Sequence, residues 1–179
     1  MATQSKWILD PTHSEIQFKV KHLVISTVTG TFKNFEASLI TENEDFTDAE
    51  IDFSIAVDSI DTNQTDRDNH LKSADFFDAE NFPAIKFKST SFVKDGDDYI
   101  LNGDITVKDI TKPIKFDVEF GGTATDFYNN EKAGFEITGK ISRKEFGLTW
   151  SAVTEAGAIV VGDDIKLSAS VQFVKQVQA

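Results

Sequence analysis

The chain has no cysteine, which excludes disulfides and thiolate metal sites and leaves the redox compartment open. Positive charge is also scarce. Eighteen Lys and Arg against 30 Asp and Glu give a formal net charge of -12. A phosphate-backbone partner needs clustered Lys and Arg, so nucleic acid is excluded and an anionic membrane surface is disfavoured. The charge reads instead as solubility through self-repulsion. No apolar run is long enough to cross a bilayer, and the N-terminal MATQSKWILD lacks the apolar centre of a signal peptide. This predicts a cytoplasmic protein without stable membrane insertion, or a periplasmic one if a leader was removed. Histidines 13, 22 and 70 have no i,i+4 pair and no zinc spacing. G-x-S-x-G, a Cys-His arrangement and a phosphate loop are missing too. The expectation is therefore no metal, no cofactor and no catalytic residue.

What the chain has in quantity is alternation and phenylalanine. There are 16 Phe against two Trp and two Tyr. Phe has no polar handle, so this set suits a wide, dry interior or an apolar ligand. Period-two patterning predicts eight strands after a short extended start at Trp7–Leu9 and a turn at Asp10-Pro11-Thr12. The first, 15–22, turns Ile16, Phe18, Val20 and His22 to one face. The second, 28–41, carries Phe32 and Phe35 in different phase, which predicts a bulge near Lys33-Asn34. The third, 49–58, faces Ile51, Phe53, Ile55 and Val57 inward. Strands at 85–92, 99–108, 114–120, 135–142 and 165–174 follow, with Phe87, Leu101, Phe116 and Phe135 among their inward residues. No helical period separates them, so a parallel α/β sheet is ruled out. Regular strands with turn signals between them predict one domain over 1–179, a sandwich or an up-and-down barrel. An eight-stranded barrel either fills with side chains or holds one small ligand; parity leaves both open.

One stretch breaks the alternation. Residues 59–83, SIDTNQTDRDNHLKSADFFDAENFP, exceed the roughly 2–5 residues of a hairpin connection. Asn63 is the expected N-cap of a short helix over 64–72, with Asp66 in its first turn. Leu71 is the one large apolar residue on it, so packing must hold it. A second turn from Asp75 presents Phe76 and Phe77, one to the bore and one to the rim. In simple antiparallel connectivity this stretch and the other long connection, 143–162, leave at one end. His22, Lys108 and Arg143 fall at that end too. Together with Arg67 they are candidates to meet an anionic head group, since Arg suits phosphate. The plainer alternatives are that His22 is a hydrogen-bonded rim histidine and that Arg67 and His70 brace the lid.

D-P-T-H-S-E-I-Q-F-K-V-K-H at 10–22, G-T-F-K-N-F at 30–35, T-D-R-D-N-H-L-K-S-A-D-F-F-D at 65–78, F-P-A-I-K-F at 82–87 and G-D-I-T-V-K-D-I-T-K-P at 103–113 closely resemble the YceI-like family of lipocalin-like polyisoprenoid-binding proteins. The resemblance runs from Trp7 to Val174 and is most specific in the R-D-x-H-L-K-S-x-D-F-F-D run at 67–78. It implies an all-β, eight-stranded antiparallel lipocalin-like barrel with a short helix between strands three and four. It further implies an elongated apolar pocket for a long-chain lipid, such as a polyprenyl phosphate or isoprenoid quinone, and a tendency to form homodimers. With it, the inward set becomes a pocket lining: Phe18, Val20, His22, Phe32 and Phe35; Ile51, Phe53 and Ile55; Arg67, His70, Leu71, Phe76 and Phe77; and Phe87, Leu101, Phe116 and Phe135. The expected role is a non-enzymatic carrier or sequestering protein. The rivals are a fatty acid or fatty amide as ligand, an enzyme acting on an isoprenoid through His22, Arg67 and Asp68, and a plugged barrel with only an interaction role.

Overall fold

Alternation at this density produces an all-antiparallel closed barrel. The computed structural model describes residues 4–23, 25–43, 45–148 and 161–176. Its strands are β1 (Ser5–Leu9), β2 (Glu15–His22), β3 (Ser26–Phe32), β4 (Phe35–Thr41), β5 (Glu50–Ala56), β6 (Ile60–Asp61), β7 (Ala84–Asp95), β8 (Asp98–Val107), β9 (Ile110–Thr125), β10 (Glu131–Ser142) and β11 (Val161–Lys175). Helix α1 spans Thr65–Lys72. β1 and β2 act as two halves of one barrel strand, because β1 pairs with β4 and β11 while β2 pairs with β3 and β11. β3 and β4 are likewise one interrupted strand. The ring then runs through β5, β7, β8, β9, β10 and β11 and closes, giving the eight barrel strands that the sequence predicts.

Both interruptions have local causes. Between β1 and β2, Pro11 opens a 3-10 turn whose cap is Asp10, a position that suits proline's fixed φ. The Asp10 carboxylate accepts from the Thr12 amide at 3.0 Å and hydroxyl at 2.6 Å, and lies 2.9 Å from His13 Nδ1 and 3.0 Å from Lys132 Nζ. The Thr12 hydroxyl above all holds its pKa far below the usual carboxylate range, against the opposing effect of burial. At Lys33–Asn34 the backbone leaves the barrel ladder. The Lys33 amide donates to the Ser59 carbonyl and the Ala56 amide to the Asn34 carbonyl, at 3.2 and 2.9 Å. The bulge expected there is this break.

The strand directions put three connections at one end of the barrel and four at the other. At one end, the β4–β5 connection folds inward. Phe46, 1% exposed, sits in left-handed backbone at φ 64. Its ring meets Trp7, Phe120 and Phe135 edge-on, with centroids 5.3, 5.5 and 5.5 Å away. The Tyr99 hydroxyl bonds the Asp45 carbonyl beside it. This end is the floor. The β9–β10 hairpin, also at this end, is longer than the alternation predicts. Gly121 is extra: Gly134 pairs with Gly122 and Phe135 with Phe120, and Gly122 takes φ 102. That bulge lets the ladder continue to Thr125 through residues that read as loop. The other end carries the β2–β3, β5–β7, β8–β9 and β10–β11 connections, and is the mouth.

A candidate apolar ligand cavity

The longest described connection at the mouth is 57–83, which contains the stretch that breaks the alternation, 59–83. Its base is closed where the Val57 amide donates to the Pro83 carbonyl at 2.9 Å. Ile60 and Asp61 then pair with Phe32 and Thr31. Helix α1 has no fully buried residue; its half-buried Leu71 packs against the core, and a polar knot fastens its start. The buried Thr62 donates its amide to Asp68 Oδ1 at 2.8 Å, and its hydroxyl bonds the same oxygen. Arg67 donates Nε–H to the Thr62 hydroxyl at 2.7 Å and a second N–H to the Thr62 carbonyl. The cap is Gln64, whose side chain accepts from the Arg67 amide at 2.6 Å. Asn63, the expected cap, instead adopts φ 66 with its amide on Asp61 Oδ1 at 2.8 Å. Asn tolerates the left-handed region, so the turn takes Asn63 and the cap moves one residue on.

Beyond the helix, the Phe77 amide donates to the Leu71 carbonyl and the Ala79 amide to the Lys72 carbonyl, at 3.0 and 2.9 Å. The chain folds back under its own helix. This places Leu71, Phe76 and Phe77 together over the bore. Both phenylalanines border the cavity, where one was expected at the rim. Phe77 stands edge-on to Phe32, centroids 6.3 Å apart, and Phe76 edge-on to His70 at 5.0 Å.

Beneath this lid runs a cavity of about 170 Å³. Near the mouth its wall is Val20, Ile55, Ile141, Val161 and Leu148. Midway it is Phe18, Phe32, Phe53, Phe87 and Phe116, and towards the floor Leu39, Ile51, Leu101 and Phe135. The side chains turned to it are almost all hydrocarbon. Arg143 brings a charge to it, and Gln17, Lys86 and Ser168 also border it. Arg143 is 2% exposed yet borders the cavity at the mouth. It donates Nε–H to the Gly162 carbonyl at 2.9 Å, and its terminal nitrogens bond the carbonyls of Leu148 and Val161. Asp163 lies 3.9 Å away. Burial pulls its pKa below the ordinary value, with Asp163 opposing. The guanidinium fork thus ties the two ends of the β10–β11 connection together.

The parity argument and the wall agree for most residues, and the exceptions share a reason. Phe35 is buried but its ring stacks on Phe53, centroids 6.4 Å apart and planes 7° from parallel, and it does not reach the cavity. His22 is exposed on the last residue of β2, at the rim, where it still pairs with Ser26 and Val161 but does not border the cavity. Arg67 is exposed and turned to Thr62. His70 bonds Asp75 through Nε2 at 2.9 Å. Lys108 sits at φ 60 in the β8–β9 turn, away from the wall. Of the four expected head-group candidates, only Arg143 borders the cavity. Leu148 and Val161 were not singled out beforehand, because they belong to a connection with no period to read.

The geometry agrees with what the chain resembles among known proteins. The profile of the YceI-like domain matches residues 7–173. A UPF0312 protein of Staphylococcus epidermidis is 38% identical over 170 residues, covering 94% of this chain and 97% of its own. The crystal structure of a Campylobacter jejuni YCEI protein superposes with TM-score 0.71 at 31% identity, over 88% of this chain and 90% of that one. A polyisoprenoid binding domain from Saccharophagus degradans, implicated in plant cell wall breakdown, shares the fold at 12% identity and TM-score 0.67, over 98% and 100% of the two chains. The chain belongs to the YceI-like family.

Proposed function

We propose that this barrel binds a long-chain isoprenoid lipid by enclosing its tail, and so carries or sequesters it without chemical change. The observation that carries the reading is the hydrocarbon cavity that extends from beneath Leu71, Phe76 and Phe77 towards the floor near Phe135. Burial is worth about 0.8 kcal/mol per methylene, and drug-sized ligands retain about 0.3 kcal/mol per atom after association costs. A tail of isoprenoid length therefore binds usefully with little help from its head group. At about 170 Å³ the cavity is near the size of the ~150 Å³ apolar cavities that stay dry and admit benzene. A long tail must therefore widen it, and the lid and the wall rings are the parts that give. The polar end of the ligand lies at the mouth, near Arg143. The narrow bore also favours a second reading, a thin unbranched amphiphile such as a fatty acid or fatty amide.

Native mass spectrometry of the purified protein, with organic extraction of what it holds, tests both. Isoprenoid mass in the extract, or uptake of added polyprenyl lipid, is the expected result. Fatty-acid mass would select the second reading. A reproducibly empty protein that rejects polyprenyl lipids and fatty acids alike would overturn the carrier role.

A further inference from the structure

Three glycines face the bore from the middle of strands: Gly30 in β3, Gly103 in β8 and Gly139 in β10. None has the positive φ that would itself demand glycine. What demands it is an aromatic ring. A Cβ on Gly30 would lie 2.2 Å from Cζ of Phe18, and one on Gly139 would lie 2.4 Å from Cδ1 of Phe116. At Gly103 the Phe87 ring is 2.4 Å away, but the Lys88 carbonyl oxygen is also only 2.5 Å away, so backbone packing alone explains that glycine. Gly30 and Gly139 meet only side-chain atoms at such range.

These two belong to one row around the wall. Gly139 pairs with Leu167, Leu167 with Phe18, and Phe18 with Gly30. Along the row the two glycines flank Leu167 and Phe18. Each ring lies over its glycine along the wall instead of crossing the lumen. Each ring has another ring on one side. Phe32 is 5.6 Å from Phe18 and Phe87 is 5.5 Å from Phe116, centroid to centroid. The Cβ that either glycine lacks would point into the bore, so a methyl group there lifts the ring off the wall and inward.

We propose that Gly30 and Gly139 fix the free width of the bore partway along its length, and so set the longest lipid chain the barrel accepts. This rests on the carrier reading above. The cavity continues past this row to Leu39 and Phe135, so a ring pushed inward cuts off the floor end and leaves the mouth end usable. The chain-length limit is therefore a property of two residues that contact no ligand. They act through the rings they seat.

The test is a ladder of polyprenols, from farnesol through geranylgeraniol to solanesol, titrated into wild-type, Gly30→Ala and Gly139→Ala protein and read by native mass spectrometry. Both variants are expected to hold farnesol within about threefold of wild type and to lose the longest members by about tenfold or more, the weight of two or so methylenes. The double variants Gly30→Ala/Phe18→Leu and Gly139→Ala/Phe116→Leu, which remove the displaced ring, should regain the long chains. If a single variant fails to fold, Phe18→Leu and Phe116→Leu in the wild-type background replace it and should move the limit towards longer or bulkier chains. A limit that stays put in every folded variant, or affinity lost equally for short and long chains, overturns the inference. Wild-type protein that takes up no member of the ladder overturns the carrier reading itself, which is a distinguishable failure.

Discussion

Phe46 meets Phe135 edge-on, with planes at 86° and centroids 5.5 Å apart, and the pair joins a turn to the barrel wall. Phe46 comes from the β4–β5 connection and Phe135 from β10. The ring lies in the open end of the barrel and seals it, so the bore has one mouth and not two. Phe46→Ala should cost about 3–5 kcal/mol in chemical denaturation and leave the strands intact by circular dichroism. It should also lengthen the cavity, so that solanesol gains affinity relative to farnesol. Loss of stability with an unchanged preference would mean that the floor does not limit the ligand.

Arg143 serves the other end. Its fork bonds the carbonyls of Leu148, Val161 and Gly162, and a truncated side chain would strand them at the mouth. Arg143→Met should destabilise the protein by about 3 kcal/mol. Arg143→Lys should recover only part of this, because a lysine is a point donor without the planar fork. Hydrogen exchange should speed up first at the amides of 161–165. A neutral Arg143→Met protein with unchanged exchange there would remove the clamp.

Most of the barrel is legible in the chain because a strand with one face buried must alternate. Phe18, Phe32, Phe53, Phe87, Phe116 and Phe135 fall on the wall where parity puts them. The rule fails where its premise does. At His22 the strand has reached the exposed rim, and at Phe35 a ring stack replaces the view of the lumen. The 59–83 stretch is legible as an insertion, but its fastening is not. The knot at Thr62 depends on left-handed backbone at Asn63 and on a Gln64 cap, and no spacing in the sequence announces either. The floor is similar: Phe46 sits in a turn, and only the three-dimensional return of that turn makes it part of the core.

The Asp10 knot makes a pH-dependent contribution whose sign is fixed. Its carboxylate is held far below the ordinary range, chiefly by the Thr12 hydroxyl, with His13 and Lys132 adding to it. A folded-state pKa below the unfolded one stabilises the protein above the unfolded value, about 3.9. The contribution is lost as pH falls from there towards the folded value. Asp10→Asn should therefore be less stable than wild type by about 2 kcal/mol at neutral pH. The gap should narrow steadily below about pH 4. Parallel denaturation curves across that range check it, and a gap that grows on acidification would contradict the assignment.

The lid prediction separates bracing from ligand contact at Arg67. Arg67 donates twice to Thr62, and Thr62 in turn bonds Asp68, so all three hold the start of α1 and none reaches the cavity. Thr62→Val removes the hydroxyl at the centre while keeping the shape of the side chain. Losing about 1–2 kcal/mol of local stability raises the open population of the lid by about 5–30-fold. Opening precedes both uptake and release, so stopped-flow association and dissociation rates for a fluorescent polyprenyl lipid should rise together by about that factor. The equilibrium affinity should stay within about threefold, since no wall residue has changed. Arg67→Ala should behave the same way, and hydrogen exchange over 62–82 should quicken in both. If Arg67→Ala instead left the rates alone and altered the preference between a polyprenol and its phosphate, Arg67 would be a head-group contact and not a brace.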